Sequence, residues 1–394
     1  SLSLSGLSLG VHNPMNKFVF SALATSLLCA SGLASDTEWP ELDRELAALS
    51  NAPLTQDTGG PFLSGWLIGA FDYNSDSEDA NGNKDYTGFG VRSAAINLTG
   101  QIGEDYGYVF GYDFFDSGEV YAPASTPVGA VGAAGITDAY GTFGIGEYVD
   151  FKLGIFTPPS LRSSHVQRNH TLFINRSFLG GQFSNRDTGL QIGGSFDRVH
   201  WALAATNGSD GMTEGFGFSG RIDIDIIGEL PENEGAYGAA EGTNLNIGIA
   251  YADDSSDDVN GDNLNLARVM ADATLVAGSF SIFAEVTDFD KDVGPSYMGT
   301  MIDGNNTPWS AGLSYLLGEE YEFGFRYDAW DASEVTGAAF YDTNRYNFVA
   351  NRYIIGHDVK WQVQFSMGDN KVGGPDELNV GEHTIFSVGL ALGF

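Results

Sequence analysis

The stretch Thr384-Ile-Phe-Ser-Val-Gly-Leu-Ala-Leu-Gly-Phe394 alternates without a break. Phe386, Val388, Leu390, Leu392 and Phe394 share one parity, and Ser387, Gly389, Ala391 and Gly393 share the other. Successive side chains of a strand point to opposite faces, so this segment carries one greasy face and one face of small residues. A strand that shows apolar groups outward and small ones to a crowded or watery interior suits the wall of a transmembrane β-barrel, and Phe394 suits its closing strand.

The same alternation recurs in about sixteen segments. Tyr106, Tyr108, Phe110, Tyr112 and Phe114 alternate with Gly107, Val109, Gly111 and Asp113; Tyr321, Phe323, Phe325 and Tyr327 alternate with Glu322, Gly324, Arg326 and Asp328. Val359, Trp361, Val363 and Phe365 form a third clear case. The connections alternate too. Long ones fall at 75–87, 117–133, 158–185, 253–263, 289–307, 330–344 and 368–382, and short ones at Gly146-Glu147, Asp197-Arg198, Gly278, Gly318-Glu319 and Gly356-His357. Long outer loops with short periplasmic turns predict an all-β transmembrane antiparallel barrel of about 16 strands, with an inward-folded constriction loop at 158–185. Two connections depart from the rule: 228–242 is long where a short turn is due, and 207–214 is short for an outer loop.

Before the barrel, Met15-Asn16-Lys17 opens a short positive region, Phe18–Ala30 is mostly apolar, and Gly32-Leu33-Ala34 offers small residues at cleavage spacing. The expected domains are therefore 1–34, upstream residues plus a signal peptide; 35–60, a periplasmic segment; and 61–394, the barrel. Trp39, Leu42, Leu46 and Leu49 follow helical spacing in the middle segment. Cys29, the sole cysteine, lies within the signal, so the mature chain has no thiol chemistry. After the signal, no apolar run is long enough for a membrane-crossing helix.

The formal net charge is −34. Acids cluster at Asp72, Asp76, Glu78, Asp79 and Asp85, and again at Asp253, Asp254, Asp257, Asp258 and Asp262. Oxygen-rich loops suit Ca²⁺. Neither Asp79-Ala80-Asn81-Gly82 nor Asp258-Val259-Asn260-Gly261 completes a calcium loop, because Ser77 and Ser256 stand at the first ligand position and Gly88 and Ala267 at the last. A solvated acidic surface is the simpler reading and no cofactor is expected, with loop-bound Ca²⁺ as the alternative.

One stretch reverses the sign. Phe151 to Arg186 contains no Asp or Glu but holds Lys152, Arg162, Arg168, Arg176 and Arg186 with His165 and His170. This island covers the third long loop. Arginines there would either form an oxyanion-selecting ring or pair with acids across the wall and hold the loop. Arg162, His165, Arg168, Arg176 and Arg186 are the candidate anion-binding constriction. Parity adds Lys152, Arg221, Arg326 and Lys360 to the lumen wall. Arg268 joins them on the face of Asp272, as does Arg345 at a strand start.

The segment Phe151-Lys-Leu-Gly-Ile-Phe-Thr-Pro-Pro-Ser160, the Arg/His loop, and Ser184-Asn-Arg-Asp-Thr-Gly-Leu-Gln-Ile-Gly-Gly194 together resemble the phosphate-selective porin O/P family. A short strand, Trp201-Ala-Leu-Ala-Ala-Thr-Asn207, follows as it does in that family. The resemblance implies a sixteen-stranded, trimeric porin whose inward loops build the constriction. Phosphate-specific members carry a ladder of arginine and many mouth lysines. This chain is sparing in both, which bears on strict phosphate specificity.

Enzyme chemistry has no foothold. Gly215-Phe-Gly-Phe-Ser-Gly220 leads into a strand rather than a helix, so it is no phosphate cradle. His200 beside Trp201 reads as a membrane-interface residue. The expected function is an outer-membrane diffusion channel for small anions or oxyanions such as phosphate, working as a homotrimer in outer-membrane lipid of a Gram-negative cell, with no nucleic-acid partner. The alternatives are a general or cation-tolerant porin, or a structural or adhesive barrel.

Overall fold

The computed structural model describes residues 60–78, 84–103, 105–115, 135–145, 148–208, 216–239, 242–254, 267–289, 307–330, 341–372 and 378–394. The expected signal peptide, its cleavage site and the helix expected near Trp39 lie outside them. So do the tips of both acidic loops.

Sixteen strands form one closed antiparallel barrel in which each strand pairs with its sequence neighbours and the last meets the first. They are β1 (Phe62–Glu78), β2 (Lys84–Ile102), β3 (Tyr106–Asp113), β4 (Gly135–Ile145), β5 (Val149–Phe156), β6 (Asp187–Phe196), β7 (Val199–Thr206) and β8 (Gly217–Ile227). The second half comprises β9 (Thr243–Asp254), β10 (Arg268–Ala277), β11 (Phe280–Phe289), β12 (Trp309–Leu317), β13 (Tyr321–Trp330), β14 (Tyr341–Ile355), β15 (Val359–Val372) and β16 (Leu378–Gly393). Closure leaves no edge strand to face lipid with its backbone groups unpaired.

The seam holds to the final residue. Phe394 N–H donates to Gly65 O at 3.0 Å, and Gly65 N–H donates to Phe394 O at 3.1 Å. Gly65 is required there, since a Cβ would come 2.7 Å from the Phe394 ring. Several strands run further outward than their apolar alternation. β1 and β2 remain paired out to Glu78 and Lys84, and β14 and β15 out to Tyr341 and Val372. Hydrophobic period 2 marks only the part in lipid, whereas the hydrogen-bonded ladder continues into water.

The barrel is apolar outside and polar inside. Leu153 is 61% and Leu203 55% exposed on the outer face, while Lys360 and Glu322 are both 0% exposed on the inner face. That arrangement is stable only with hydrocarbon around the wall. Aromatic groups gather near both rims: Trp309, Tyr327 and Tyr346 at the long-loop end, and Phe143 and Phe151, stacked at 4.7 Å, at the other. Asp72 is not a surface loop acid. It faces inward, fully buried, and binds Arg92 at 2.5 Å and Ser387 at 2.6 Å, because its outward neighbours Phe71 and Tyr73 set its parity.

Candidate functional site

Between β5 and β6 the chain turns into the barrel. It contains a one-turn helix, α1 (Arg162–His165), a 3₁₀ turn (Arg168–His170) and a second short helix, α2 (Phe178–Gln182), capped by the Ser177 hydroxyl, which accepts from Gly180 N–H at 2.8 Å. Leu161, Leu172 and Phe173 are fully buried, with Phe283 and Val349 of the wall packed at Leu172 and Phe173. The loop thus has a core of its own against β10–β15.

Loops this short on regular structure leave backbone carbonyls and N–H groups to satisfy. Inward side chains of the wall do this. Arg326 donates to Asn175 O at 3.2 Å and Arg176 O at 2.8 Å, lies 4.3 Å from the Phe173 ring, and is held by Asp328 at 3.0 Å. Gln364 accepts from Ile174 N–H at 2.8 Å; Asn351 and Gln362 donate to Leu172 O. Lys360 Nζ donates to Thr171 O. Arg221 is tied to Asp223 and Asp272 and also donates to Ser160 O at 2.7 Å.

The candidate island residues divide. Arg162 donates through Nη2 to Pro231 O and to Asn233 O at 3.0 Å, and its N–H donates to Asp272 at 3.1 Å. Arg176 is buried and donates to Ser163 O at 2.5 Å. Arg168 sits in the 3₁₀ turn, whose His170 ring lies 4.9 Å from His357 in the short turn between β14 and β15. Arg186 stays partly exposed, 3.7 Å from Asp138. His165 is exposed on the helix, with its Nε2 3.4 Å from the Ser160 hydroxyl. Of the wall candidates, Lys152 lies over Tyr140 at 4.8 Å, Arg268 over Phe183 at 5.0 Å, and Arg345 is buried opposite Asp328.

Inner-face exposure is unequal. Along β10–β15 the inward polar groups are almost all covered by the loop. Along β4–β8 several meet water: Asp138 is 27% exposed, Asp223 24% and His200 41%, although Thr206, Arg221 and Asp225 are buried. Asp150, on the same face as Lys152, is exposed as well.

Two features escaped the sequence. His200 faces inward rather than lipid: its Nδ1 is 2.8 Å from the Ser195 hydroxyl and its Nε2 3.1 Å from Asp225. Its register opposite Asp223 puts it on the polar parity, a signal obscured by the neighbouring Trp201. The second is the connection after β8, whose described part, 228–239, turns into the barrel and meets the loop at Glu234 and His170. Its unusual length was the available signal, but length alone does not show direction.

The family model for phosphate-selective porin O and P matches residues 68–285. No curated protein matches the chain. Among solved structures, the anion-selective porin from Comamonas acidovorans is similar with a TM-score of 0.57 and 13% identity, covering 85% of this chain and 100% of that one. The outer membrane channel DcaP of Acinetobacter baumannii gives 0.58 and 11%, covering 85% and 97%. OmpT of Vibrio cholerae in its trimer form gives 0.53 and 11%, covering 86% and 100%. At such identities these likenesses speak to the fold alone, a porin barrel. With a closed sixteen-stranded barrel, a loop packed inside it and a family match over more than half its length, this chain belongs to the phosphate-selective porin O and P family and resides in the outer membrane of a Gram-negative bacterium.

Proposed function

We propose that the protein is a water-filled diffusion channel that prefers small anions and oxyanions, with the preference set by Lys152, His165 and Arg186 along the β4–β8 side. The observation that carries this is the basic cluster at the two ends of the loop: Arg186 keeps 30% of its side chain exposed 3.7 Å from Asp138, and His165 Nε2 lies 3.4 Å from the hydroxyl of Ser160, whose carbonyl accepts from Arg221. Arg162, Arg176, Arg221, Arg326 and Lys360 all hold the loop, so their charge acts through the field rather than by direct coordination. Lys152 and Arg186 stand nearer the water.

Location outweighs total charge. Loop acids more than about 8 Å away are screened at physiological salt. A solute passing about 4 Å from a cation still feels about 4 kcal/mol at an effective dielectric of 20. The family match and the Comamonas porin's anion selectivity agree with this preference. A homotrimer delivered by the signal peptide completes the proposal, in line with the trimeric Vibrio OmpT.

A second reading also has an observation behind it. Asp138, Asp150 and Asp223 border the same passage, and a balanced field of this kind would give a general porin. Reversal potentials across a planar bilayer in a KCl gradient decide between the two. Wild type should favour chloride, and K152E/R186E should lose that preference while still conducting. A wild-type channel that is already strongly cation-selective would establish the general porin instead.

A further inference from the structure

The connection between β8 and β9 is polar and glycine-rich, Pro231-Glu-Asn-Glu-Gly-Ala-Tyr-Gly238, where a two-residue turn would suffice. It is bonded on two sides. Toward the loop, Glu234 N–H donates to His170 O at 3.1 Å, the Glu234 carboxylate accepts from Leu172 N–H at 2.9 Å, and Arg162 donates to Pro231 O and to Asn233 O at 3.0 Å. Toward the wall, Ala236 N–H donates to Glu322 at 2.6 Å, and Tyr237 stacks on Tyr353 at 3.8 Å. Within the segment, Asn233 Nδ2 donates to Tyr237 O at 2.6 Å. Ala236 and Asn233 are buried.

The backbone is shaped for this path. Gly235 has φ of 87°, and a Cβ there would come 2.5 Å from the Glu322 carboxylate. Glycine is the residue that adopts this conformation at no steric cost. Its close approach brings the Ala236 N–H to Glu322.

We propose that residues 229–239 are a positioning element for the channel: a latch that enters from the periplasmic side and holds the outer loop in the lumen. The loop thus meets, from below, partners for buried groups that the wall does not reach. Without the latch, Leu172 N–H and His170 O lose the partners that satisfy them, which favours the loop leaving its seat. Passage size is then set from both faces of the membrane. Glu234 is central, since it binds the loop backbone while its charge acts on both Arg162 and Lys360.

The test measures single-channel conductance in symmetric KCl and trypsin cleavage in detergent micelles. In one variant 229–241 is replaced by an Asn-Gly turn; in another, E234A/Y237A, the length is kept. Both should conduct roughly twofold or more above wild type, with frequent closures. Both should be cut at Arg162, Arg168 or Arg176, where wild type resists. Unchanged conductance together with trypsin resistance in an inserted barrel would overturn the latch. If the shortened variant fails to insert, E234A/Y237A decides alone. Selectivity is read separately by reversal potential, so either proposal can fail without the other.

Discussion

The wall of β10–β15 and the wall of β4–β7 obey one parity rule and use it differently. Both turn polar side chains inward. On the first wall Arg326, Asn351, Lys360, Gln362 and Gln364 grip loop backbone and lie almost fully buried. On the second, Asp138, Asp150, Lys152 and Gln191 border water. Inward polarity therefore does not make a residue pore-lining. What sits opposite decides, and the loop packs far more closely on β10–β15 than on β4–β7.

Three experiments press on that contrast. The largest effect is expected at Arg326. R326A takes the Arg326 guanidinium away from buried Asp328, which keeps Ser310 and Asn347 as hydrogen-bond partners, and frees two loop carbonyls. Removing one partner of a buried pair costs about 3–5 kcal/mol. Urea unfolding in micelles should show that loss, and the loop should become sensitive to trypsin. A loss under about 1 kcal/mol would mean the covered wall is no more critical than the open one.

Acid should act next, and on the covered side. Burial, then Lys360, hold His170 below its ordinary value despite Asp358 and Glu232. Burial, then Lys360 and His170, push His357 in its turn down to about 2. Both rings are thus neutral when the loop is seated and protonate more readily when it is released. Stability of the seated loop is fully present above about pH 6.5 and falls as pH drops below it, by at most about 1.4 kcal/mol per pH unit for each ring and less where water reaches it. Trypsin sensitivity should rise between pH 6.5 and 4.5, and H357F should flatten that rise. A profile identical in H357F would assign the effect elsewhere.

The smallest effect comes from matched glutamines. Q364A strands the buried Ile174 N–H and should cost about 1–3 kcal/mol. Q191A, on the open wall, should stay within about 0.5 kcal/mol. Equal losses in urea unfolding would erase the distinction between the walls.

Much of the fold was legible because the bilayer imposes it locally. Alternation at Tyr321–Asp328 or Thr384–Phe394 depends only on lipid outside and a polar interior, whatever the strand pairs with. Strand order followed from connection length. The outer extensions of β1, β2, β14 and β15 were missed because no hydrocarbon marks them. Asp72 and His200 were misjudged for a related reason: one adjoins an acidic loop and the other adjoins a tryptophan, and nearness in sequence outweighed parity.

By itself, the sequence determined an acid-free, basic segment at 151–186, a long connection at 228–242 and a barrel able to enclose them. Only the tertiary structure decided what those charges touch. Arg162 meets the carbonyls of Pro231 and Asn233, and Arg326 those of Asn175 and Arg176, across about 70 and 150 residues of chain. Backbone carbonyls are the same at every position, so no composition or spacing can say which one an arginine will find. That choice depends on where two distant loops return within the closed wall.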